Sequence, residues 1–237
     1  MYPLRPLQIK TFYLLPVLLL LFSACSASTS PGGDAVQVSF NTENDILLSG
    51  HVFGEGNTVV ILSHMDTGDQ SNWWPFARTL RDKGYKVLTY DFRGFRDSSG
   101  EVALDLSYED LNAAVDYFVD QNVSQIVLIG AGIGGTASLR VASHSAVVGV
   151  VTLSSSPIVG TLNVVDNIPA IKASKMFLAA EEDTFNVRSM DVFLQMSGDP
   201  KERHILKGSE KGTNILFGPS GPSAKGLIID FLRRNTQ

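Results

Sequence analysis

The chain has one cysteine and four histidines in 237 residues. A single thiol, Cys25, cannot form an internal disulfide, so no part of the fold depends on a covalent cross-link. Basic charge is also scarce: 19 lysines and arginines stand against 24 aspartates and glutamates, a net −5. That balance leaves no basic patch for a nucleic-acid partner and argues against binding through anionic lipid headgroups. The apolar stretch Thr11 to Phe22 is twelve residues long and interrupted by Pro16, well short of the roughly 20 residues a spanning helix needs. There is no internal repeat and no second linker. His64-Met65-Asp66 offers two metal ligands without a third at useful spacing, so no metal site is predicted, and no cofactor is implied.

The N-terminus carries a targeting pattern. Arg5 and Lys10 give a basic start with no acidic residue, the apolar stretch follows, and Phe22-Ser23-Ala24-Cys25 closes it. This reads as a signal peptide and not as a membrane helix. Small residues before a cysteine resemble the lipobox of bacterial lipoproteins, which implies cleavage after residue 24 and lipid on Cys25. An ordinary secretory signal with an incidental cysteine is the alternative. Residues 26–34 are small and polar, a flexible tether. The predicted location is therefore the bacterial cell envelope, with the domain outside the cytoplasm and tied to a membrane through Cys25. Removal of residues 1–24 takes away Arg5 and Lys10, leaving 17 basic against 24 acidic side chains, a net −7. The remaining domain, residues 35–237, is long enough for one substantial core.

Within it, Val36 to Phe40 and Ile46 to Phe53 read as paired strands joined by a turn over Asn41 to Asp45. From Thr58 onward the strands change character. Val59–Leu62, Tyr85–Tyr90, Ile126–Ile129, Val147–Leu153 and Lys175–Ala179 are short runs rich in β-branched residues, as expected of strands buried on both faces of a parallel sheet. Lys201 to Leu206 is a last strand. Helix-period segments alternate with them: Trp73 to Lys83, Tyr108 to Val119 with Ser107 as N-cap, Thr136 to Ser143, Phe185 to Met196, and Gly226 to Arg234. Such alternation implies right-handed crossovers and a three-layer α/β sandwich.

Gly130-Ala131-Gly132-Ile133-Gly134-Gly135 follows the Ile126–Ile129 strand and precedes a helix, the strand–turn–helix context of a G-x-S-x-G nucleophile elbow. The central position is Gly132, which has no side chain. The glycines at 130, 132 and 135 also match G-x-G-x-x-G. That reading is weak, because the run lies mid-domain and no acidic residue ends the next strand at Leu153.

Four segments in order resemble the α/β-hydrolase superfamily, most nearly its small dienelactone-hydrolase-like and serine-hydrolase-like members. Ile61-Leu62-Ser63-His64-Met65 followed by Trp73 or Trp74 is similar to the strand and oxyanion loop. Gly84-Tyr85-Lys86-Val87 through Asp91-Phe92-Arg93-Gly94 is similar to the G-Y-x-V…D-x-R-G segment. Gly130–Gly135 is the elbow, and Gly212–Leu216 the loop after the last strand. The resemblance implies a three-layer α/β/α sandwich around a mostly parallel eight-stranded sheet without a large lid. It also implies a Ser–Asp–His order of catalytic residues.

On that order Gly132 stands where the serine would be and Lys211 where the histidine would be. Asp183 takes the acid position, with Glu182 a near alternative and helix capping at Asp183 the favoured structural role. Lys211 beside Asp183 would form an ion pair, since opposite charge favours the charged form. The oxyanion hole needs only backbone N–H groups, from Ile133 and from Met65 or Asp66. Ser63 and Ser154-Ser155-Ser156 lie at strand ends but have no matching base. The expectation is a lipoprotein of hydrolase fold that has lost serine-hydrolase catalysis and binds a small apolar or acyl ligand. The alternative is an active hydrolase of small esters or lactones with a relocated nucleophile.

Overall fold

The computed structural model describes Met1, Gly32, Gly33 and residues 35–236. The signal-peptide pattern, Cys25 and most of the tether lie outside the described residues. The chain divides into two units, Met1–Ser30 and Pro31–Gln237, and the second carries the sheet and its helices.

Among the described residues ten strands and five α-helices alternate: β1 (Ala35–Asn41), β2 (Leu47–Phe53), β3 (Thr58–Ser63), α1 (Trp74–Arg81), β4 (Lys86–Tyr90), α2 (Ser107–Val119), β5 (Gln125–Ala131), α3 (Ile133–Val141), β6 (Val147–Leu153), β7 (Ile158–Val159), β8 (Leu162–Asn163), β9 (Ser174–Ala180), α4 (Thr184–Met196), β10 (Lys201–Leu206) and α5 (Gly221–Thr236). Eight strands form one sheet in the order β1-β2-β4-β3-β5-β6-β9-β10. β2 runs antiparallel to β1 and β4, and the remaining pairings are parallel. The β1–β2 hairpin turns at Asp45 with φ 58°, and Thr42 closes it by accepting the Ile46 N–H on its Oγ1.

The apolar runs alternate between two cores because successive strand side chains point to opposite faces. Val59, Ile61, Ile126, Leu128 and Phe177 face one layer with α2, α3 and α4, where Leu111, Val115, Leu139 and Phe193 are buried. Val60, Leu62, Val127, Ile129 and Met176 face the other, with Phe76 and Leu80 of α1 and Ile228, Phe231 and Leu232 of α5. The architecture is thus an α/β/α sandwich. Lys175 is the charged exception inside a buried strand. Its ammonium donates to the Ile171 and Ala173 carbonyls at 3.0 and 2.8 Å, and burial lowers its pKa.

Three local readings change. α3 begins at Ile133, directly after Gly132, and not at Thr136. Its first turn is rich in glycine, poor in propensity but short enough at the side chain to pack against the strands. Ser107 is the first residue of α2, with Leu106 at the N-cap position, and its hydroxyl is buried without a hydrogen-bond partner; the preceding helical turn Leu104–Leu106 displaces it from the cap. α5 starts at Gly221, five residues ahead of the periodic segment, because Pro222 is tolerated in a first turn. The two-residue hairpin β7–β8 is too short to register as an apolar alternation.

Candidate functional site

The parallel strands β3, β5, β6, β9 and β10 all end on one edge of the sheet, and the segments leaving them carry the predicted site. β5 ends at Ala131 and the chain turns through Gly132 with φ 53° and ψ −122° into α3. A positive φ costs an ordinary side chain about 1–3 kcal/mol and costs glycine little. The elbow geometry is therefore present without its strain and without a nucleophile. The Gly132 N–H donates to the Leu153 carbonyl at 3.0 Å, and its carbonyl accepts from Gly135 and Thr136. The Ile133 N–H is among the first of its helix and has no acceptor within it.

The other glycines of the elbow serve close packing. A Cβ on Gly130 would lie 2.2 Å from the Gly134 carbonyl carbon. On Gly134 it would lie 2.4 Å from the Ser63 carbonyl oxygen, and on Gly135 2.0 Å from Ser155 Oγ. α3 therefore sits directly on the ends of β3 and β5.

Asp183 and Lys211 are brought together. Asp183 is 1% exposed, and its Oδ1 lies 3.6 Å from Lys211 Nζ on a side chain that is 66% exposed. Its Oδ2 accepts from Asn186 Nδ2 at 2.8 Å. The capping role is corrected: Asp183 occupies the N-cap position of α4 but its carboxylate caps no backbone N–H, because both oxygens turn to side chains instead. Oδ1 receives no hydrogen bond and has only the distant ammonium.

Met65 is the residue whose role sequence reasoning missed. A Cβ at Gly132 would stand 3.0 Å from Met65 Cβ, and a Cβ at Gly212 would stand 2.5 Å from Met65 Sδ. Its sulfur also meets Thr213 Oγ1 at 4.0 Å. The methionine side chain therefore crosses the gap between the elbow and the loop after β10, the space in which a serine and a histidine would have to meet. Asp66 is exposed.

All four histidines are engaged away from the elbow. His64 Nε2 accepts the Phe92 N–H at 3.0 Å while Nδ1 donates to the Met65 carbonyl at 2.8 Å. Because the Phe92 N–H can only donate, the proton of neutral His64 sits on Nδ1, and burial lowers its pKa from 6.5 to about 4. His51 pairs with Gln70, His144 accepts the Ala146 N–H, and His204 meets Glu202 on β10. The serines at strand ends fare no better as nucleophiles. Ser63 is bonded to the Tyr90 hydroxyl at 3.0 Å, Ser155 to the Leu153 carbonyl, and Ser156 to the Ile158 carbonyl. Ser154 has φ 49° and a buried hydroxyl without a partner.

The segment after β4 is structural. Asp91 accepts from the Gln70 N–H at 2.9 Å and from Gln70 Nε2 at 2.6 Å. Arg93 lies 2.7 Å from Asp110 and 2.9 Å from Glu109. Arg96, with φ 43°, ties this loop to the oxyanion loop through Asp69 at 2.6 Å.

An eight-stranded, mostly parallel sheet between two helical layers, with a positive-φ turn linking a central strand to its helix, defines an α/β-hydrolase fold. A family model described as the alpha/beta hydrolase fold matches residues 58–188, more than half of the chain, and the chain belongs to that family. It is 31% identical over 88 residues to the uncharacterized protein YfhR of Salmonella typhimurium, over 36% of this chain and 30% of that protein. The YfhR of Escherichia coli strain K12 is 31% identical over 85 residues, 35% of this chain and 30% of that protein. The matched segment thus spans less than a third of these curated relatives. An esterase of Pyrococcus furiosus superposes with a TM-score of 0.76 at 21% identity, covering 86% of this chain and 93% of that one. The α/β hydrolase GrgF from Penicillium sp. sh18 superposes at 0.74 with 18% identity, covering 85% and 98%. At such identities the likeness speaks for the fold alone.

Proposed function

We propose that this chain is a non-catalytic member of the α/β-hydrolase family, a lipoprotein held at the bacterial envelope through Cys25, that binds a small apolar or acyl ligand. One observation carries the loss of catalysis: the elbow residue is Gly132, and the gap in front of it is crossed by Met65. The engagement of all four histidines elsewhere supports the same reading, because acyl transfer needs a base in reach of a nucleophile. Asp183 is then a remnant acid whose partner is Lys211, an ammonium that cannot accept a proton. Losing a nucleophile and base from a working triad costs about a millionfold in turnover, and what remains comes from binding and the oxyanion hole.

Hydrolysis of short aryl esters tests the proposal. The unaltered chain is expected to show no turnover above background. The Gly132→Ser, Lys211→His double variant should stay silent while Met65 crosses the gap, and should gain turnover when Met65→Ala is added. Clear turnover by the unaltered protein would overturn the reading and return attention to Ser63, Ser154 and His204.

A further inference from the structure

A second feature lies on the same edge of the sheet, beside the elbow but lined by none of Gly132, Met65 or Lys211. Between the β7 turn and α4 runs a groove of about 410 Å³ walled by Pro157, Ile158, Phe185 and Val192. That size falls in the range of roughly 300–1,000 Å³ typical of small-ligand sites. Ile158 is 51% exposed and Phe185 66%, so an aliphatic and an aromatic side chain face water at its lips. Covering them would recover hydrophobic free energy that the folded chain leaves unused.

The polar groups of the groove select the head of its ligand. Ser156 Oγ donates to the Ile158 carbonyl at 2.9 Å and accepts the Ile158 N–H. Ser189 Oγ donates to the Phe185 carbonyl at 3.2 Å. Both hydroxyls are therefore occupied by local backbone. Arg188 is not: its guanidinium makes no hydrogen bond, ion pair or ring contact among the described residues. Every other arginine of β1–α5 has a partner, including Arg93, Arg96, Arg203, Arg233 and Arg234 in ion pairs and Arg140 over the Tyr108 ring. An unpaired guanidinium beside an apolar trough, in a molecule with an acidic excess, is complementary to one negative charge on an apolar body. A single planar fork matches a carboxylate, and one cation neutralises a monoanion completely but a phosphate dianion only in part.

We propose that this groove binds a free medium-chain fatty carboxylate, its tail along Pro157, Ile158, Phe185 and Val192 and its head on Arg188. The proposal rests on the non-catalytic reading and names the ligand class that reading leaves open. Thr136 Oγ1, on the elbow helix, donates to the Ser156 carbonyl at 2.7 Å, so the groove floor is joined to α3.

Titration of the full chain with sodium decanoate below its micelle concentration tests this, with decan-1-ol and decyltrimethylammonium as neutral and cationic counterparts. Saturable decanoate binding is expected. Arg188→Gln should weaken it about tenfold, the loss of one charge-assisted pair, and leave decanol unchanged. Phe185→Ser should weaken both, and Arg203→Gln, which removes a remote arginine, neither. Both groove positions are exposed, so the fold survives the changes. The proposal is overturned by absence of saturable binding, by equal affinity in Arg188→Gln, by equal binding of decyltrimethylammonium, or by binding to phosphatidylglycerol vesicles alone. Hydrolysis of an aryl decanoate by the unaltered chain would instead overturn the non-catalytic reading, whatever the decanoate titration gives.

Discussion

At Gly132 the backbone holds φ 53°, a conformation suited to glycine, and a new Cβ would meet Met65 Cβ at 3.0 Å. Gly132→Ser should therefore lower stability by about 1–3 kcal/mol through the dihedral alone, with the Met65 contact adding to it. Urea denaturation checks this, and Met65→Ala, which keeps the Cβ, should leave the loss in place.

Two buried residues next to this loop give a pH signature. Burial lowers the His64 pKa from 6.5 to about 4 and raises that of Asp91 from 3.8 to about 6. As pH falls below 6.5 the unfolded chain protonates its histidine and the folded chain does not until about 4, so the stability His64 contributes is lost on acidification. Asp91 runs the other way. Between 3.8 and about 6 the folded state binds the extra proton, so stability falls as pH rises through that window. Shifts of this size correspond to roughly 3 kcal/mol each and oppose one another. Asp91→Asn removes one side of the balance. Denaturation at a series of pH values should find that variant losing roughly 2 kcal/mol more than the parent on going from pH 6 to pH 4.

At the scale of elements, the contact of α3 with β3 and β5 decides the geometry of the elbow. Gly134 lies where a Cβ would come within 2.4 Å of the Ser63 carbonyl oxygen and 2.6 Å of that of His64, both backbone atoms that cannot swing aside. Gly134→Ala should therefore cost about 3 kcal/mol or more, since the helix must lift from the sheet. A melting curve gives the loss, and Gly226→Ala, where nothing lies within 4 Å of a Cβ, is the control. The same contact explains why the sequence pattern places the start of α3 too late. Ile133, Gly134 and Gly135 have weak helix propensity or none, and they are helical because packing on the strand ends holds them. Ser107 falls inside α2 for a related reason: a short turn ahead of the helix is invisible to apolar periodicity.

For the whole molecule, the sheet order and the two cores set where the site edge lies. Among the described residues no helix is long and apolar enough to cross a membrane. The proposed attachment is through lipid on Cys25. Each buried methylene contributes about 0.8 kcal/mol, and more than one acyl chain makes attachment stable. Cys25→Ser should move the protein from the membrane pellet to the soluble fraction; unchanged partition would exclude the cysteine as the anchor.

The sequence by itself determined the eight main strands, their α/β alternation and the empty elbow at Gly132. Buried parallel strands leave near-continuous apolar runs, and a strand–glycine–helix turn has a local pattern. It also brought Asp183 and Lys211 into view as a pair through their places after β9 and β10. What only the tertiary structure decided depends on groups far apart in the chain. Met65 closes the gap because the loops after β3, β5 and β10 converge, and no local pattern reports that approach. Asp183 turns away from capping because Lys211 and Asn186 reach it in space. The apolar groove beside Arg188 exists only where a two-residue hairpin meets α4. Periodicity records which face a residue buries, but which side chain fills a gap between loops is a matter of distance, and only the folded chain sets that distance.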